Sequence, residues 1–401
     1  MLDILSLLLI FFALLALLIL THELGHFLVA RRLGIGVEEF GFGLPPRLIG
    51  LVKIKDLAKK TKHWKILRKH SHLYTKNYKI LSPIYSLNAI PFGGFVKILG
   101  EDGEARLNPK SFAAQKVWKR FTVLIAGILM NFILGSCLFT IGFLYGFPEI
   151  ANDESPVKDP KIQITYVVPG SPTQEAGIKV GDTVKAVSLP NQTKIEIDKV
   201  ITLQTLAQEW AGEKIVLEIL RGDDLYRMAV EPRINPPSGQ GALGIELVRI
   251  GVTRYPFLEA LKLGPIRSIQ LAYLMADYLR DIVGRIIQAE KVKLEVSGPV
   301  GIVVMTNQMR EMGLPYLIQF AAIISINLAF INFLPFPALD GGRILFLLVE
   351  KIKGRPVSPK LEKIIHAAGL YFLLLLMLII TFKDVSRFGD KFAMLWEKII
   401  K

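Results

Sequence analysis

Four stretches of the chain are apolar over lengths that suit membrane spans, and the sequence between them is mostly polar. They cover residues 5–30, 117–147, 317–350 and 366–383, and prolines interrupt the third. A helix needs about 20 predominantly apolar residues to cross a bilayer. The pattern therefore predicts a polytopic α-helical membrane protein with four transmembrane helices.

The net charge of +14 is concentrated in the loop between the first two apolar stretches. Nineteen Lys or Arg and six Asp or Glu lie between residues 27 and 120. Basic loops remain on the cytoplasmic side of a membrane. We therefore expect loops 31–116 and 349–365 in the cytoplasm, and both termini and region 148–316 outside. A charge distributed in this way does not indicate nucleic-acid binding.

The cytoplasmic loop 31–116 divides into two kinds of sequence. Residues 37–50 and 85–100 are rich in glycine and β-like, which predicts short β-strands. The insertion 51–80 is strongly basic, with aromatic residues between the charges, and indicates a solvated face attracted to anionic lipid headgroups. A nucleic-acid or protein-binding patch is the less favoured alternative. His63, His70 and His72 lie here, but their spacing fits no zinc template.

Region 160–250 predicts one compact β-rich domain on the exterior side. Residues 161–189 are typical of a strand, a short helix and a second strand, and 214–232 predicts a hairpin that turns at 222–224. Region 253–316 follows, and its residues 255–287 have apolar positions at helical spacing. This helix suits a membrane surface and packing against the helical bundle equally well.

The segment THELGHF at 21–27 places ionisable side chains at the end of the first apolar stretch. On a helix, His22 and His26 are one turn apart and share a face, and Glu23 lies beside them. This is the H-E-x-x-H arrangement, in which two imidazoles bind a metal and the glutamate serves as a general base. Ionisable residues inside a membrane are rare and usually functional.

A third metal ligand is expected because catalytic zinc sites have three protein ligands and one open position. The best candidate is Asp340, in the part of the third stretch that prolines and glycines break. At a rise of 1.5 Å per residue, His26 and His22 lie roughly 8 and 14 Å before Arg31, and Asp340 lies about 16 Å before Lys351. One helix intervenes, so the two stretches run in the same direction and the three side chains should lie at similar depths.

Several motifs together resemble the site-2 protease family of intramembrane zinc metalloproteases, and particularly its bacterial regulator-of-sigma-E-protease branch. They are HELGH, FGFG at 40–43, NAIPFGGFVKILGEDG at 88–103, AGILMNF at 126–132, SGPVG at 297–301 and NFLPFPALDGG at 332–342. The resemblance covers most of the chain. It implies regulated intramembrane proteolysis of anti-sigma factors.

By position, the resemblance implies that His22, His26 and Asp340 bind Zn²⁺ and that Glu23 is the catalytic base. Asn131 in the second apolar stretch also matches the family pattern.

The resemblance also implies a substrate-binding set. Asn332 and Pro335 match an N-x-x-P element whose asparagine engages the substrate backbone. Gly93, Gly94 and Phe95 lie in a segment that resembles a membrane-re-entrant β element, which offers an edge strand to the unwound substrate.

Residues 161–250 resemble a PDZ domain in the permuted bacterial arrangement, and GALGI at 241–245 is similar to its carboxylate-binding loop. Such a domain would either read peptide C-termini or act as a steric filter, and the sequence leaves both open. Two features depart from the family pattern: a single PDZ domain instead of two, and the long insertion 51–80.

We therefore predict a zinc-dependent intramembrane endopeptidase that cleaves single-span membrane proteins, such as anti-sigma factors or remnant signal peptides. Its expected location is the bacterial inner membrane, with the active site toward the cytoplasm and no nucleic-acid partner. One alternative is a non-proteolytic PDZ-bearing receptor or scaffold with structural zinc, which would need a fourth protein ligand. Another is a zinc transporter, for which His366 is the best supporting residue.

Overall fold

The computed structural model describes residues 2–57, 59–68, 78–103, 105, 107–154, 157–222, 224–290 and 298–400. His70, His72 and Ser297, which the sequence analysis singled out, lie outside these residues. The chain forms two compact units. The first contains Met1–Thr140, Lys262–Arg310 and Phe320–Lys401, and the second contains Ile141–Leu261 and Glu311–Gln319.

The helices of the described residues follow the apolar segments and the connections between them. In chain order they are α1 (Leu2–Arg32), α2 (Val117–Tyr145), α3 (Pro172–Glu175), α4 (Val200–Glu209), α5 (Phe257–Ile287), α6 (Pro299–Met312), α7 (Leu314–Phe333), α8 (Asp340–Lys353) and α9 (Pro359–Ile400).

Four of these helices contain segments that are long and apolar enough to cross a membrane, which agrees with the predicted number. The segments are Leu5–Arg32, Val117–Tyr145, Leu314–Phe333 and Pro359–Ser386. The third predicted segment, 317–350, is divided between α7 and α8, as its prolines indicated, and its spanning part is Leu314–Phe333.

The third segment is divided because the chain leaves the helix at Phe333 and enters a new one at Asp340. Pro335 and Pro337 lie between the two helices, where proline lacks an N–H and disfavours helix in the preceding residue. The fourth segment begins at Pro359, earlier than expected, because proline suits a first helical turn.

An antiparallel sheet in the first unit contains β1 (Val37–Asp56), β2 (Lys62–Arg68), β3 (Tyr78–Ile80) and β4 (Ile84–Ile98). Both long strands fold back on themselves: Phe40 lies opposite Tyr85 and Val96, and Leu51 lies opposite Tyr85 and Ile66. Across the sheet the segments are therefore 94–98, 37–44, 84–90, 47–56 and 62–68.

The basic insertion 51–80 contains more strand structure than its composition suggested. The strand β1 continues to Asp56 because Val52 and Ile54 are fully buried, while Lys53 between them faces outward. Leu67 of β2 joins Val52 and Ile54 in a small apolar core. The period-two pattern of a strand was thus present in the sequence, although the density of charge obscured it.

The second unit has a seven-stranded antiparallel sheet. Its strands are β5 (Phe147–Ile150), β6 (Lys158–Val167), β7 (Thr183–Ser188), β8 (Lys194–Glu196), β9 (Ile215–Arg221), β10 (Asp224–Val230) and β11 (Ile245–Thr253). They are ordered β10-β9-β7-β6-β11-β5, with β8 on β7. The predicted hairpin about 222–224 and the strand–helix–strand pattern over 161–189 are confirmed.

The helix α5 packs against α2 through small and hydroxyl-bearing residues of the first unit. The Ser268 and Ser136 hydroxyl oxygens are 3.0 Å apart, and Gly264 lies directly against Thr140. Small residues let membrane helices approach closely. For this part of α5, the contact favours the packing interpretation over a helix that only lies on the membrane surface.

Replacing Gly264 with alanine is expected to lower the thermal stability of the purified protein. The added Cβ would overlap the Thr140 hydroxyl and lie 2.6 Å from the Ser136 carbonyl oxygen, and overpacking typically costs about 1–3 kcal/mol. In Gly284→Ala, a control on the same helix, the Cβ meets open space, so stability should be unchanged or higher by up to about 1 kcal/mol. Equal melting temperatures for the two variants would contradict the packing argument.

Candidate metal centre

Two imidazoles of α1 lie against each other near its polar end. His22 and His26 are separated by one helical turn, and their Nε2 atoms are 3.2 Å apart. Their side chains are 12% and 7% exposed. The helix alone therefore aims both ring nitrogens at one point.

The carboxylate of Asp340 reaches the same point from the first residue of α8. Its Oδ2 is 3.0 Å from His22 Nε2 and 3.3 Å from His26 Nε2. Candidate ligand atoms of all three residues lie within 4.8 Å of one another. In the part of the chain that the structure describes, this is the one group of three or more such residues. The structure thus brings together the three side chains that the sequence analysis singled out.

The turn before Asp340 is built around two glycines. A Cβ on Gly341 would overlap the carbonyl oxygens of Phe333 and Leu334, and one on Gly342 would overlap that of Phe336. Only glycine lets the start of α8 lie this close to the preceding turn. The double glycine of the LDGG sequence therefore sets where the Asp340 carboxylate lies.

The arrangement of donors and acceptors fits a bound cation. The backbone carbonyl of Val123 can only accept, so His26 Nδ1, 2.8 Å away, donates to it. The Nε2 of a neutral His26 then presents a lone pair to the Asp340 carboxylate and to His22. A tetrahedral zinc ion with bonds of about 2.0–2.1 Å separates its ligands by about 3.3 Å, close to the observed 3.0–3.3 Å. The three residues therefore fit Zn²⁺.

Glu23 lies beside this group and contacts the sheet. Its Oε2 accepts a hydrogen bond of 3.0 Å from the backbone N–H of Val96 in β4. This N–H points away from β1, and within the described residues no further strand pairs with segment 94–98. An open strand edge therefore faces the glutamate.

The remaining predicted site residues lie on the elements around this group. Gly94 and Phe95 are in the edge segment opposite Phe42 and Gly41, and Gly93 precedes them with φ of 96°. Asn332 is half-buried in the last turn of α7, and Pro335 is exposed in the turn that follows. No hydrogen bond joins Asn332 to the metal-binding group in this structure.

Asn131 is fully buried in α2, where its backbone carbonyl accepts a hydrogen bond of 2.7 Å from the Ser325 hydroxyl. This bond ties α2 to α7.

A sequence model of peptidase family M50 matches residues 10–59 and 72–376. The chain belongs to peptidase family M50. Its relative CPE1693 of Clostridium perfringens is 34% identical over 94% of this chain and 98% of the relative. Zinc metalloprotease RasP of Geobacillus kaustophilus is 28% identical over 92% of this chain and 96% of the relative. Zinc metalloprotease RasP of Shouchella clausii is 28% identical over 95% of this chain and 99% of the relative.

Membership of family M50 makes the protein a membrane-embedded zinc metalloprotease of the site-2 type, and Zn²⁺ its cofactor. The alternative of a receptor with structural zinc required a fourth protein ligand. Within the described residues, the metal-binding group has three members.

A glycine pair that the sequence analysis did not single out lets α1 and α2 meet at the centre of this M50 protease. A Cβ on Gly127 would overlap the His26 ring, and one on Gly25 would overlap the Ala126 carbonyl oxygen. The sequence analysis quoted the AGILMNF motif, which contains Gly127, but did not predict that this glycine makes room for the His26 ring. A sequence signal for this contact was available, because small residues on two apolar helices indicate where the helices can approach closely.

His366 supports the other side of the centre. Its Nδ1 accepts a hydrogen bond of 2.9 Å from the backbone N–H of Ala338, two residues before Asp340. Ala338 has φ of 77°, which is strained for a residue with a side chain. From its place in α9, His366 thus stabilises the turn that carries Asp340.

The Gly127→Ala variant is expected to lose most of its bound zinc, because the new methyl group displaces the His26 ring. Zinc content of the purified protein measures this. Gly135→Ala is the matched control on α2, because its Cβ meets the Ile326 side chain at 2.6 Å and no metal-binding residue. Full zinc content in both variants would contradict the proposed crowding.

His366→Ala should weaken zinc binding by about tenfold, the low end for residues that orient metal ligands. His366→Asn should restore much of it, since the asparagine oxygen can accept the Ala338 N–H. Competition with a chelator measures the affinity. Equal loss in both variants would show that the acceptor atom is unimportant.

Proposed function

We propose that the protein hydrolyses peptide bonds of single-span membrane proteins at a zinc centre held by His22, His26 and Asp340, with Glu23 as the general base. The observation that carries this proposal is the convergence of three ligand atoms at separations of 3.0–3.3 Å beside Glu23. Asp340 is 314 positions after His26, so the fold, and not closeness in the sequence, brings the two side chains together.

The chemistry divides between the metal and the chain. When bound, zinc polarises the scissile carbonyl and makes water a stronger acid. Glu23 accepts the proton from the attacking water and delivers it to the leaving amine, as a positioned carboxylate does in general acid–base catalysis. His26 keeps its orientation through the Nδ1 hydrogen bond to Val123.

We propose that the substrate binds as an added strand on segment 94–98. A transmembrane helix must unwind before a protease can reach its backbone, and an extended peptide pairs readily with an open sheet edge. The Val96 N–H on this edge lies within hydrogen-bonding distance of Glu23, which supports a substrate path next to the base. Gly93, Gly94 and Phe95 would line this path, and Asn332 and Pro335 would contact the substrate backbone from the other side.

We propose that the protein lies in the bacterial inner membrane, with its active site toward the cytoplasm and region 160–250 outside. Substrates would be anti-sigma factors or remnant signal peptides, cleaved during regulated intramembrane proteolysis. The concentration of basic residues between 27 and 120 supports this orientation.

The β-rich region of the second unit is proposed to be a PDZ domain that reads peptide C-termini. A cavity of about 280 Å³ lies between α4 and the start of β11, and loop 241–244 contributes to its lining. Residues 245–247 of β11 pair with β6 on one side, which leaves the other side for an added peptide. A steric filter that binds no peptide is the alternative.

Glu23→Gln should retain zinc and lose nearly all cleavage of a single-span substrate in proteoliposomes, because the amide cannot accept the proton. Asp340→Asn should instead lose zinc, because a neutral amide is a poorer ligand. Zinc content and cleavage are measured on the same preparations. Cleavage that survives Glu23→Gln would overturn the assignment of the base, and full zinc content in Asp340→Asn would remove Asp340 from the ligand set.

A further inference from the structure

The outer half of the first unit's sheet has one apolar face that the described residues leave exposed. We call residues 47–56 of β1 and Lys62–Arg68 of β2 the hairpin blade. Ile49, Leu51, Trp64 and Ile66 share this face and are between 39% and 63% exposed. Val52, Ile54 and Leu67 point to the opposite face, where they are buried. A soluble surface seldom gathers large apolar side chains in this way.

Cations surround the apolar residues of the hairpin blade. Lys53 lies opposite Trp64 with its Nζ 5.9 Å from the ring centre, and Lys55 lies opposite Lys62. Residues 51–68 contain seven Lys or Arg and one Asp. Long lysine side chains can lay their stems on apolar surface while their charges reach polar groups.

The exposed face continues a face that already packs on a membrane-spanning helix. Tyr85, opposite Leu51 in the sheet, contacts Phe27 of α1 with ring centres 6.1 Å apart. Arg31 lies over the Phe27 ring at 5.5 Å, at the charged end of the span Leu5–Arg32. Charged residues at the end of a span, together with aromatic ones, mark the boundary between lipid and water.

We propose that the hairpin blade lies on the bilayer surface and binds anionic phospholipid headgroups. Trp64 and Ile66 enter the interfacial region, where tryptophan is favoured, and Lys53, Lys55 and Lys62 bind the phosphates. The M50 family model matches 10–59 and 72–376, so the whole of β2 lies in a stretch that the family model does not match. The anchor is independent of the proposed catalytic mechanism.

Lipid suits this face better than a nucleic acid does. Aliphatic residues form its centre and cations its margin, and burying Leu51 or Ile66 against a polar, uniformly anionic polymer would gain little. A bilayer surface supplies both an apolar layer and a layer of negative charge.

The test is the accessibility of spin labels on single cysteines in the full chain, with Cys137 replaced by serine. Ile66→Cys places a label on the apolar face, and His63→Cys places one on the opposite face of the same strand, where the wild-type side chain is also exposed. In vesicles of phosphatidylglycerol and phosphatidylcholine, the label at 66 should collide with oxygen several-fold more, relative to the aqueous reagent Ni-EDDA, than the label at 63. Equal ratios at both positions would overturn the proposal.

The role of charge is tested in the same labelled protein. Replacing Lys53, Lys55 and Lys62 with glutamine, or raising the salt concentration to about 1 M, should move the label at 66 toward water, because the Debye length falls to about 3 Å. Vesicles of phosphatidylcholine alone should have the same effect. Zinc content identifies any variant that has misfolded. A label at 66 that is shielded only after addition of an RNA oligonucleotide would replace the lipid with a nucleic acid and overturn the proposal.

Discussion

Three side chains with converging metal-ligand atoms are held together in a buried site, and the rest of the first unit is arranged to keep them there. The lone pair of His26, the nitrogen of His22 and the carboxylate of Asp340 lie within 3.3 Å of each other. In a medium of low dielectric, acceptor atoms this close need a shared proton or a metal ion between them. The packing of the chain therefore holds these atoms at separations that suit a metal ion.

Close backbone approach makes this arrangement possible. Gly25 and Gly127 bring α1 and α2 together at the histidines, and Gly341 and Gly342 let α8 begin against its own preceding turn. The His366 ring then holds that turn from α9. Helices in lipid gain little from the hydrophobic effect between one another, so packing of small residues and a few hydrogen bonds must supply the precision.

The proximity of His22, His26 and Asp340 could be predicted from the sequence because its signals were local or periodic. The spacing of His22 and His26 and the depth of Asp340 were sufficient to bring the three together. The break at Phe333 was visible as prolines, but the restart of a separate helix at Asp340 depends on contacts with carbonyl groups far less evident in a sequence. The strand character of Val52 and Ile54 was likewise hidden, because charge density outweighed a period-two pattern. The roles of Gly127 and His366 depend on tertiary contacts, which no single-sequence pattern states.

The bond between Glu23 and Val96 has a consequence for the order of events in a reaction cycle. One backbone N–H cannot serve two acceptors fully, so a strand that pairs with the edge at Val96 must take this donor from the carboxylate. Docking of the strand and release of the glutamate oxygen from the Val96 N–H then occur in one step. Between substrates, one oxygen of the carboxylate accepts this N–H, and the bond holds the side chain beside the metal-binding group. A strand that docks at the edge would take over the donor and leave that oxygen free to accept a proton.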